Sequence, residues 1–576
     1  MRTIPRPVPR RLPPAALILS ISAALAAAQG SKPASVPCDG QVVTSIAITP
    51  RDPSFLSVPR QFRELARGVG LLHTTSTQQT IGHFLLLEIG QPCTERQRAE
   101  SERILRLQPF LADATVRVVP DTGAGVRVEV ETIDEIPTVL DLRMRDRRPS
   151  QLRFGNGNVG GQGLYLAGTV ERGLAYRTGF GVHGVAYQVF GQPDILSLVA
   201  ERSPLGGELT VALAHTYLTD LQRSAWHVGI SDVDRYLSFR ARDGDDLSLD
   251  VRRRFWDFGG VRRIGLGRRS AFVGTLVTHE DVTPANHFVV VSDSGLVAVT
   301  SPALADSVVA YRNLRLNAVA GVRALSFMTV RGFDALTAAQ DVAVGAQFGA
   351  LTGRTIQRFG TTDDDVLIST DFYAGVGSAT SFGALRVDGE ARNDRRTGDW
   401  DSMFGSGRLA WYVKPGGAHV VISSLEFAGG HGQRAPFQLT LGDRQGGVRG
   451  YSASHDAGAV RGIARIEERW SIGGFTQHDA LGIASFVDAG RVWAGDAPFG
   501  VNSSAKVGVG VGLLAAFPPA SQRLWRLDVA VPVSPDPHAR WEARLTGIWT
   551  RRFWREPDDV ARGRSGAAPS TIFTWP

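Results

Sequence analysis

Residues 481–490, with the sequence LGIASFVDAG, are the stretch from which the fold is most readily deduced. Successive side chains of a β-strand point to opposite faces. One face carries mainly aliphatic residues, namely Leu481, Ile483, Ser485, Val487 and Ala489, and the other carries Gly482, Ala484, Phe486, Asp488 and Gly490. An aliphatic face opposite a face with small and polar residues is typical of a barrel wall. The pattern therefore predicts a strand whose Asp488 side chain points into the interior of a barrel.

Similar alternation recurs from residue 150 to residue 554. The clearest segments are Gly163–Glu171, Glu208–Tyr217, Ala271–Thr278, Val342–Ala350, Gly383–Glu390, His419–Phe427, Val507–Leu514 and Trp541–Trp549. They are separated by Gly, Asp, Asn and Pro turns, as in consecutive antiparallel strands. A soluble β-sandwich is the alternative, but roughly 400 residues of such strands would make a large one. A closed β-barrel is favoured.

Strands are most easily placed by counting back from the C-terminal end. The five predicted in this way are 540–554, 523–533, 505–516, 479–491 and 460–471. Before the last of these lies Gly429–Gly458, a long segment rich in Gly, Gln and Asp, and loops of this length are usually functional. Aromatic residues near strand ends predict interfacial girdles rather than core filling. They are Trp470, Trp493, Trp525, Trp549, Phe553 and Trp554.

The first 28 residues have the composition of an export signal. Four arginines precede an apolar stretch from Ala15 to Leu25, and three alanines follow it. A membrane anchor is the alternative, although the stretch is short for about 30 Å of hydrocarbon. Beyond it no apolar run approaches the roughly 20 residues of a membrane helix, so a membrane role must use strands. The predicted units are a signal at 1–28, a small domain at 29–135, a barrel at 136–554 and a polar tail at 555–576.

The formal net charge is +7 at pH 7, but basic and acidic residues are interspersed along the chain. Without a basic stripe carrying interleaved aromatic residues, we predict no nucleic-acid partner. Two acidic runs, 243–246 and 363–365, lack the spacing of a calcium loop. Nothing resembles a nucleophile elbow or a zinc-hydrolase motif. We therefore predict no enzyme activity, no metal and no cofactor.

Cys38 and Cys93 are the only two cysteines of the chain. In an exported protein such a pair predicts one disulfide. A metal site is a weaker alternative, because neither cysteine has a His or Cys at zinc-finger spacing. Two separate buried thiols are the other alternative.

The region that contains these cysteines has the pattern of a small α+β domain. Its predicted elements are a strand at Gln41–Thr49, helices at Pro59–Arg67 and Ser76–Ile89, a helix that begins at Thr94, and strands at 114–119 and 126–133. Thr94 and Gln97 have the spacing of a capping box at the start of the third helix. With the phrase LQPFLADATV at 107–116, residues 38–135 resemble a POTRA domain. The resemblance implies a periplasmic module that binds unfolded clients or partner proteins by strand addition.

The long segment before the fifth strand from the end contains LGDRQGGVRGY at 441–451. Its core, Val448-Arg449-Gly450-Tyr451, resembles the arginine-glycine-aromatic motif of the BamA/TamA-type superfamily of outer-membrane barrels, the bacterial surface antigen family. The downstream phrases at 508–513, 526–532 and 486–490, the last with Phe486 and Gly490, extend the resemblance. It implies a mainly β fold, an antiparallel transmembrane β-barrel of about 16 strands after a POTRA-like domain. It also implies that the motif lies between strands eleven and twelve.

The same resemblance gives Arg449 acidic partners in the barrel lumen. Strand parity places Asp488 on the inner face of one strand and Glu467 on the inner face of the preceding one. Glu467-Glu468-Arg469-Trp470 also resembles the acid-x-arginine-aromatic phrase of the family. A guanidinium binds carboxylates in a bidentate manner, so we expect Arg449 to contact Glu467 and Asp488. The alternative is an ordinary solvated loop arginine.

The resemblance implies insertion or translocation of proteins or other macromolecules at the bacterial outer membrane. The first and last strands, near 151–172 and 540–554, would meet at a seam that opens sideways. Expected partners are outer-membrane lipid, unfolded or β-rich client proteins, and periplasmic or lipoprotein partners. The alternatives are a secretion pore for a dedicated client and a passive porin. The tail at 555–576 departs from the family, whose barrels end near the last strand.

Overall fold

The computed structural model describes residues 35–53, 74–121, 123, 125–145, 148–172, 178–203, 205–241, 245–265, 269–292, 295–299, 309–358, 360–435, 437–443, 446–550 and 553–564. The predicted signal at 1–28, the predicted helix at 59–67 and the tail beyond Arg564 lie outside the described residues. Within the described part of the chain, no helix combines the length and apolar character needed to cross a membrane.

The N-terminal domain is a four-stranded sheet with helices on one side. Its described elements are β1 (Asp39–Arg51), α1 (Gln78–Gly82), β2 (Pro92–Thr94), α2 (Glu95–Arg106), β3 (Leu111–Pro120) and β4 (Val126–Asp134). The sheet order is β2-β1-β4-β3, with β1 parallel to β4. The buried sulfurs of Cys38 and Cys93 form a disulfide within the core of this domain.

The helix predicted at Ser76–Ile89 is wrong in its extent. α1 begins after Thr77, whose side chain accepts a hydrogen bond from the backbone N–H of Thr80, and it ends at Gly82. Glycine disfavours a helix by about 1 kcal/mol relative to alanine. The chain then returns to the sheet, where the backbone N–H of Gly90 donates to Val43. The capping box of Thr94 and Gln97 is present as predicted.

The rest of the chain forms a closed antiparallel barrel in which the first strand lies beside the last. Its strands are β5 (Thr138–Arg145), β6 (Arg148–Asn156), β7 (Leu164–Arg172), β8 (Thr178–Ala186), β9 (Ile195–Ser203), β10 (Gly206–His215), β11 (Ser224–Phe239), β12 (Leu247–Ile264), β13 (Arg269–Ser292), β14 (Gly295–Val299), β15 (Tyr311–Arg331), β16 (Ala339–Thr355), β17 (Asp365–Gly377), β18 (Ser381–Asp394), β19 (Trp400–Gly416), β20 (His419–His431), β23 (Val460–Gly473), β24 (Ala480–Trp493), β25 (Lys506–Ala516), β26 (Arg523–Pro532) and β27 (Glu542–Trp549). A separate two-stranded ribbon joins β21 (Leu439–Thr440) to β22 (Ala457–Gly458), and α3 (Asp558–Gly563) follows the last strand.

The expected number of about 16 strands is wrong. Twenty strands of the described residues close the ring, because β14 only forms a hairpin with the far end of β13. The segment predicted as the first strand, 151–172, spans β6 and β7, and β5 precedes it. Gly160, Gly161 and Gly163 have φ values of 62°, 69° and 66° between them, a left-handed conformation that ends a strand. The number sixteen came from the family resemblance, whereas the five strands counted back from the end are all observed as β23–β27.

The two faces of β24 differ as the sequence predicts. Ala484, Phe486 and Asp488 are buried, whereas Ile483 and Val487 are 38% and 47% exposed. Exposed Leu, Ile, Val and Phe side chains recur on strands around the ring. The barrel therefore has an apolar outer wall, and charged side chains such as Arg315, Asp365 and Asp488 are buried within it.

The predicted aromatic residues at the strand ends differ in exposure, and Trp525, near the start of β26, is partly buried. Trp470, Trp493 and Trp549 are exposed near the ends of their strands. The prediction is wrong for Phe553 and Trp554, because β27 ends at Trp549 and the chain then turns inward. Trp554 is only 7% exposed.

Candidate functional site: a clamp between a lumen loop and the barrel wall

The segment between β20 and β23, residues 432–459, is here called the lumen loop. It folds into the barrel around its own apolar cluster, in which Leu441, Val448 and Tyr451 pack against Ile463 and Val492 of the wall. All three loop residues have no exposed surface. A loop of this length thus has a fixed shape, and the strand count places it between the fifteenth and sixteenth strands of the ring rather than between the eleventh and twelfth.

Glycines allow the loop backbone to approach the wall closely. Gly450 has a φ of +94°, a conformation that other residues rarely adopt. On the wall, a Cβ added to Gly508 of β25 would lie 2.0 Å from the Arg449 carbonyl oxygen. A Cβ added to Gly490 of β24 would lie 2.6 Å from Val448 Cγ2. The predicted motif residues Val448 and Gly490 are therefore in contact, and Gly508 is an additional glycine required for this fit.

Arg449 binds both acids that parity predicts. Its Nε and Nη2 donate to Asp488 Oδ2 and Oδ1 at 2.7 and 2.8 Å, the two-pronged geometry typical of strong arginine–carboxylate pairs. Its Nη1 donates to Glu467 Oε2 at 3.1 Å and to Asp528 Oδ2 of β26 at 3.3 Å. The guanidinium also lies 3.3 Å above the centre of the Phe486 ring. We call Arg449 with Glu467, Asp488 and Asp528 the clamp.

Two further arginines balance the charge of the clamp. Arg526 donates to both oxygens of Glu467, at 2.8 and 2.9 Å, and to Asp528 at 3.1 Å. Arg469 donates to Glu467 Oε1 at 2.6 Å. Three guanidinium groups thus face three carboxylates, which is the condition under which buried charges are stable.

The protonation of Arg449 is fixed by this arrangement. Burial alone would lower the pKa of its guanidinium, since it disfavours the charged form. The hydrogen bonds and charge of Asp488, together with the charges of Glu467 and Asp528, instead raise the pKa above its usual value. Arg449 therefore stays charged near neutral pH and holds the clamp as a cation.

Tyr451 and Gly450 connect the loop to the last strands of the barrel. The Tyr451 hydroxyl accepts from the Ser534 N–H at 2.9 Å, and backbone carbonyls of Ser534 and Val507 lie within reach of its proton. The Gly450 N–H donates to Glu542 Oε1 of β27 at 2.8 Å. The motif consequently contacts every strand from β23 to β27.

Sequence reasoning missed three of these partners. Asp528 and Arg526 stand two residues apart on β26, so parity would have placed them together on the inner face. Glu542 gave no such signal, because its position depends on the register of β27 against the loop.

A second contact holds the opposite end of the lumen loop. Arg434 donates through Nη1 to Asp363 at 2.6 Å and through Nε to Asp401 at 2.9 Å. These acids lie just before β17 and at the start of β19, on strands that precede those of the clamp in the ring. We call this contact the outer anchor, and it too was missed, because the sequence offers no motif around Arg434.

The N-terminal domain is joined to the barrel by buried polar contacts. Glu135 accepts hydrogen bonds from the Ser521 hydroxyl at 2.7 Å and from the Gln522 N–H at 3.0 Å, in the turn before β26. Arg106 of α2 binds both carboxylate oxygens of Asp341 on β16, at 2.9 and 2.8 Å. The domain is thereby fixed to two separate parts of one end of the barrel.

No protein-family model matches the sequence, and no curated protein matches it either. Among solved structures, the fold is similar to BamA from Haemophilus ducreyi lacking POTRA domains 1–3, with 13% identity, a TM-score of 0.34, and coverage of 88% of this chain and 85% of that chain. It is similar to CdiB from Escherichia coli, with 11% identity, a TM-score of 0.38, and coverage of 90% and 91%. For CdiB from Acinetobacter baumannii the identity is 11%, the TM-score 0.35, and the coverage 92% and 96%. At such low identities and TM-scores, the role of this chain has to be inferred from its own geometry.

Proposed function

We propose that this chain is a bacterial outer-membrane barrel that inserts or translocates client proteins, with its N-terminal domain in the periplasm. The observation that supports this most directly is the contact of one luminal motif with all five strands that precede the junction of β27 and β5. The motif fixes one side of that junction from within. The other side, β5 to β8, has no contact with the clamp among the described residues.

The junction between β5 and β27 is built from short strands. Each has 8 residues, whereas β12 and β13 have 18 and 24 and pair along most of their length. Fewer backbone hydrogen bonds can form across the short pair than between β12 and β13, so this junction opens at lower cost than they do. An opened edge presents unpaired N–H and C=O groups to which an incoming strand can add.

The outer wall supports a membrane location. Large apolar side chains are exposed on strand after strand, including Phe180, Ile230 and Val322 at 65%, 55% and 58%. Such a surface on a soluble protein would be a strong aggregation hazard, and in a bilayer it is the ordinary lipid-facing surface of a closed barrel. Residues 1–28 would supply the export signal.

Site-specific photo-crosslinking tests the proposal. A photoreactive residue is placed at Leu545 on β27 or, as a matched control, at Ile466 on β23, both outward-facing and 72% and 58% exposed. A newly synthesised β-barrel client should crosslink at position 545 and far less at position 466. Equal crosslinking at the two positions would contradict a role for the junction.

The fate of the client separates the rival functions. After release from the protein in vesicles, an inserted client resists extraction from the membrane, whereas a secreted client is found across it. A passive porin would show large steady conductance and no crosslink at position 545, and that result would exclude the proposed function.

A further inference from the structure

Residues 553–564, here called the tail segment, run inside the barrel after the last strand. The Phe553 ring lies 6.1 Å from that of Tyr373 on β17, and the Phe553 carbonyl accepts a hydrogen bond from Arg408 of β19 at 2.7 Å. Further along, Asp559 binds Arg461 of β23, with Nη2 to Oδ1 at 3.0 Å. The segment therefore runs inside the barrel along the inner face of the neighbouring strands from β17 to β23.

Apolar contacts fix the end of the tail segment against the lumen loop. Val560 is 1% exposed and belongs to a cluster with Phe404, Ala428, Phe437 and Leu439. A Cβ added to Gly563 would lie 2.5 Å from a ring carbon of Phe404. The tail segment thus fits this site closely enough to require a glycine at position 563.

Polar contacts reinforce the docking at both ends of α3. Arg564 pairs with Asp388 of β18 at 3.5 Å and with Glu556 of the tail segment at 3.0 Å. Asp559 also accepts from the Thr440 N–H of the lumen loop at 3.3 Å. Burial raises the pKa of Asp559, and Arg461 offsets only part of that effect. The carboxylate therefore depends on this partner to remain charged in the lumen.

The helix of the tail segment is too short to persist alone. α3 has 6 residues, and isolated helices shorter than about 12–15 residues are marginal in water. Its structure therefore depends on the docked contacts, and undocking is a local unfolding that need not disturb the strands.

We propose that the tail segment is an intramolecular plug, which occupies the lumen beside the lumen loop and restricts passage until it undocks. The plug extends the proposed function, because it would control ion flow through the barrel whatever client the barrel handles. Its test therefore uses no client, and it can fail or succeed independently of the crosslinking experiment.

Conductance of the purified full chain in planar bilayers tests the plug. Val560→Asp places a carboxylate in the apolar cluster, so it should undock the segment and raise the conductance several-fold. Asp558→Asn is the matched control, since Asp558 is the exposed neighbour of Asp559 on the same helix. Heat-modifiability gels establish that both variants retain the barrel. A folded Val560→Asp variant that conducts like the full chain would overturn the proposal.

A peptide added in trans separates plugging from a change in the barrel. A chain truncated after Thr550 should conduct several-fold more than the full chain, and a synthetic peptide of residues 553–564 should reduce that conductance. The same peptide with Val560→Asp should have little effect. If the two peptides act alike, the lumen does not recognise the segment and the proposal is wrong.

Discussion

The lumen loop is held at two places that differ in how well their charges are shielded from water. In the clamp, the side chains of Asp488, Glu467 and Asp528 are only 0%, 8% and 8% exposed. In the outer anchor, those of Asp363 and Asp401 are 10% and 28% exposed. The side chains of Arg449 and Arg434 are themselves almost equally exposed, at 12% and 11%. The difference therefore lies in the carboxylates and in the dielectric around them.

The compensation of charge also differs between the two places. At the outer anchor, burial raises the pKa of Asp363, and the charge of Arg434 offsets only part of that rise. At the clamp, Arg469 and Arg526 also bind Glu467, Arg526 also binds Asp528, and Arg465 lies 4.0 Å from Asp488. The comparison indicates that the clamp holds the shape of the barrel, while the outer anchor positions the start of the lumen loop.

Arg449→Ala should have the largest effect. It leaves Asp488 and Glu467 buried with fewer partners, and breaking a buried pair in this way costs about 3–5 kcal/mol. The melting temperature on a heat-modifiability gel should fall, as should the free energy of unfolding by urea in lipid vesicles. Arg491→Ala is the matched control, because this arginine is exposed on the outer face of β24, and it should leave both measurements nearly unchanged.

Asp488→Ala tests whether Asp488 and Arg449 stabilise the barrel as a pair. Alone it should lower the free energy of unfolding by about 2–5 kcal/mol, since Arg449 loses its two-pronged partner. The double variant with Arg449→Ala should lose little more than either single variant, because residues in direct contact are not additive. Additive losses would mean that the two side chains stabilise the barrel separately.

Strand parity explains why two of the three acids of the clamp could be predicted from the sequence. The alternation on β23 and β24 is local, so Glu467 and Asp488 could be placed on inner faces without knowledge of the fold. The lumen loop was found from its length and its glycines. Glu542 and Arg434 could not be found, since their positions depend on contacts between distant parts of the chain.

The number of strands and the path of the tail segment could not be predicted from sequence patterns. The 151–172 segment was predicted as one strand, whereas left-handed glycines divide it into β6 and β7. The sequence predicted a polar tail at 555–576 and nothing about its path. The polar residues of the tail segment are matched to the charges of the lumen, where Asp559 meets Arg461 and Arg564 meets Asp388. Polarity marks solvent in a soluble protein, but it marks the interior in a barrel with an apolar outer wall.

Arg434→Ala should destabilise the barrel less than Arg449→Ala. The loss of charged hydrogen bonds to Asp363 and Asp401 costs about 1–3 kcal/mol, and water can reach Asp401 to replace part of it. We expect a smaller fall in melting temperature, together with faster protease cleavage near the start of the lumen loop. A fall as large as that of Arg449→Ala would mean that the two contacts hold the barrel equally.

Among these variants, Tyr451→Phe should have the smallest effect on the melting temperature. It separates the contribution of the Tyr451 hydroxyl from that of the clamp. The ring remains in the cluster of Leu441 and Val448, so only the hydroxyl contacts to Ser534 and Val507 are lost. The Ser534 N–H then keeps only its 3.4 Å hydrogen bond to the Val507 carbonyl oxygen, and the loss costs about 1 kcal/mol. The melting temperature should fall slightly, and amide hydrogen exchange should increase around Ser534 while the amides beside Asp488 stay protected. Increased exchange at both sites would show that the hydroxyl and the clamp form one cooperative unit.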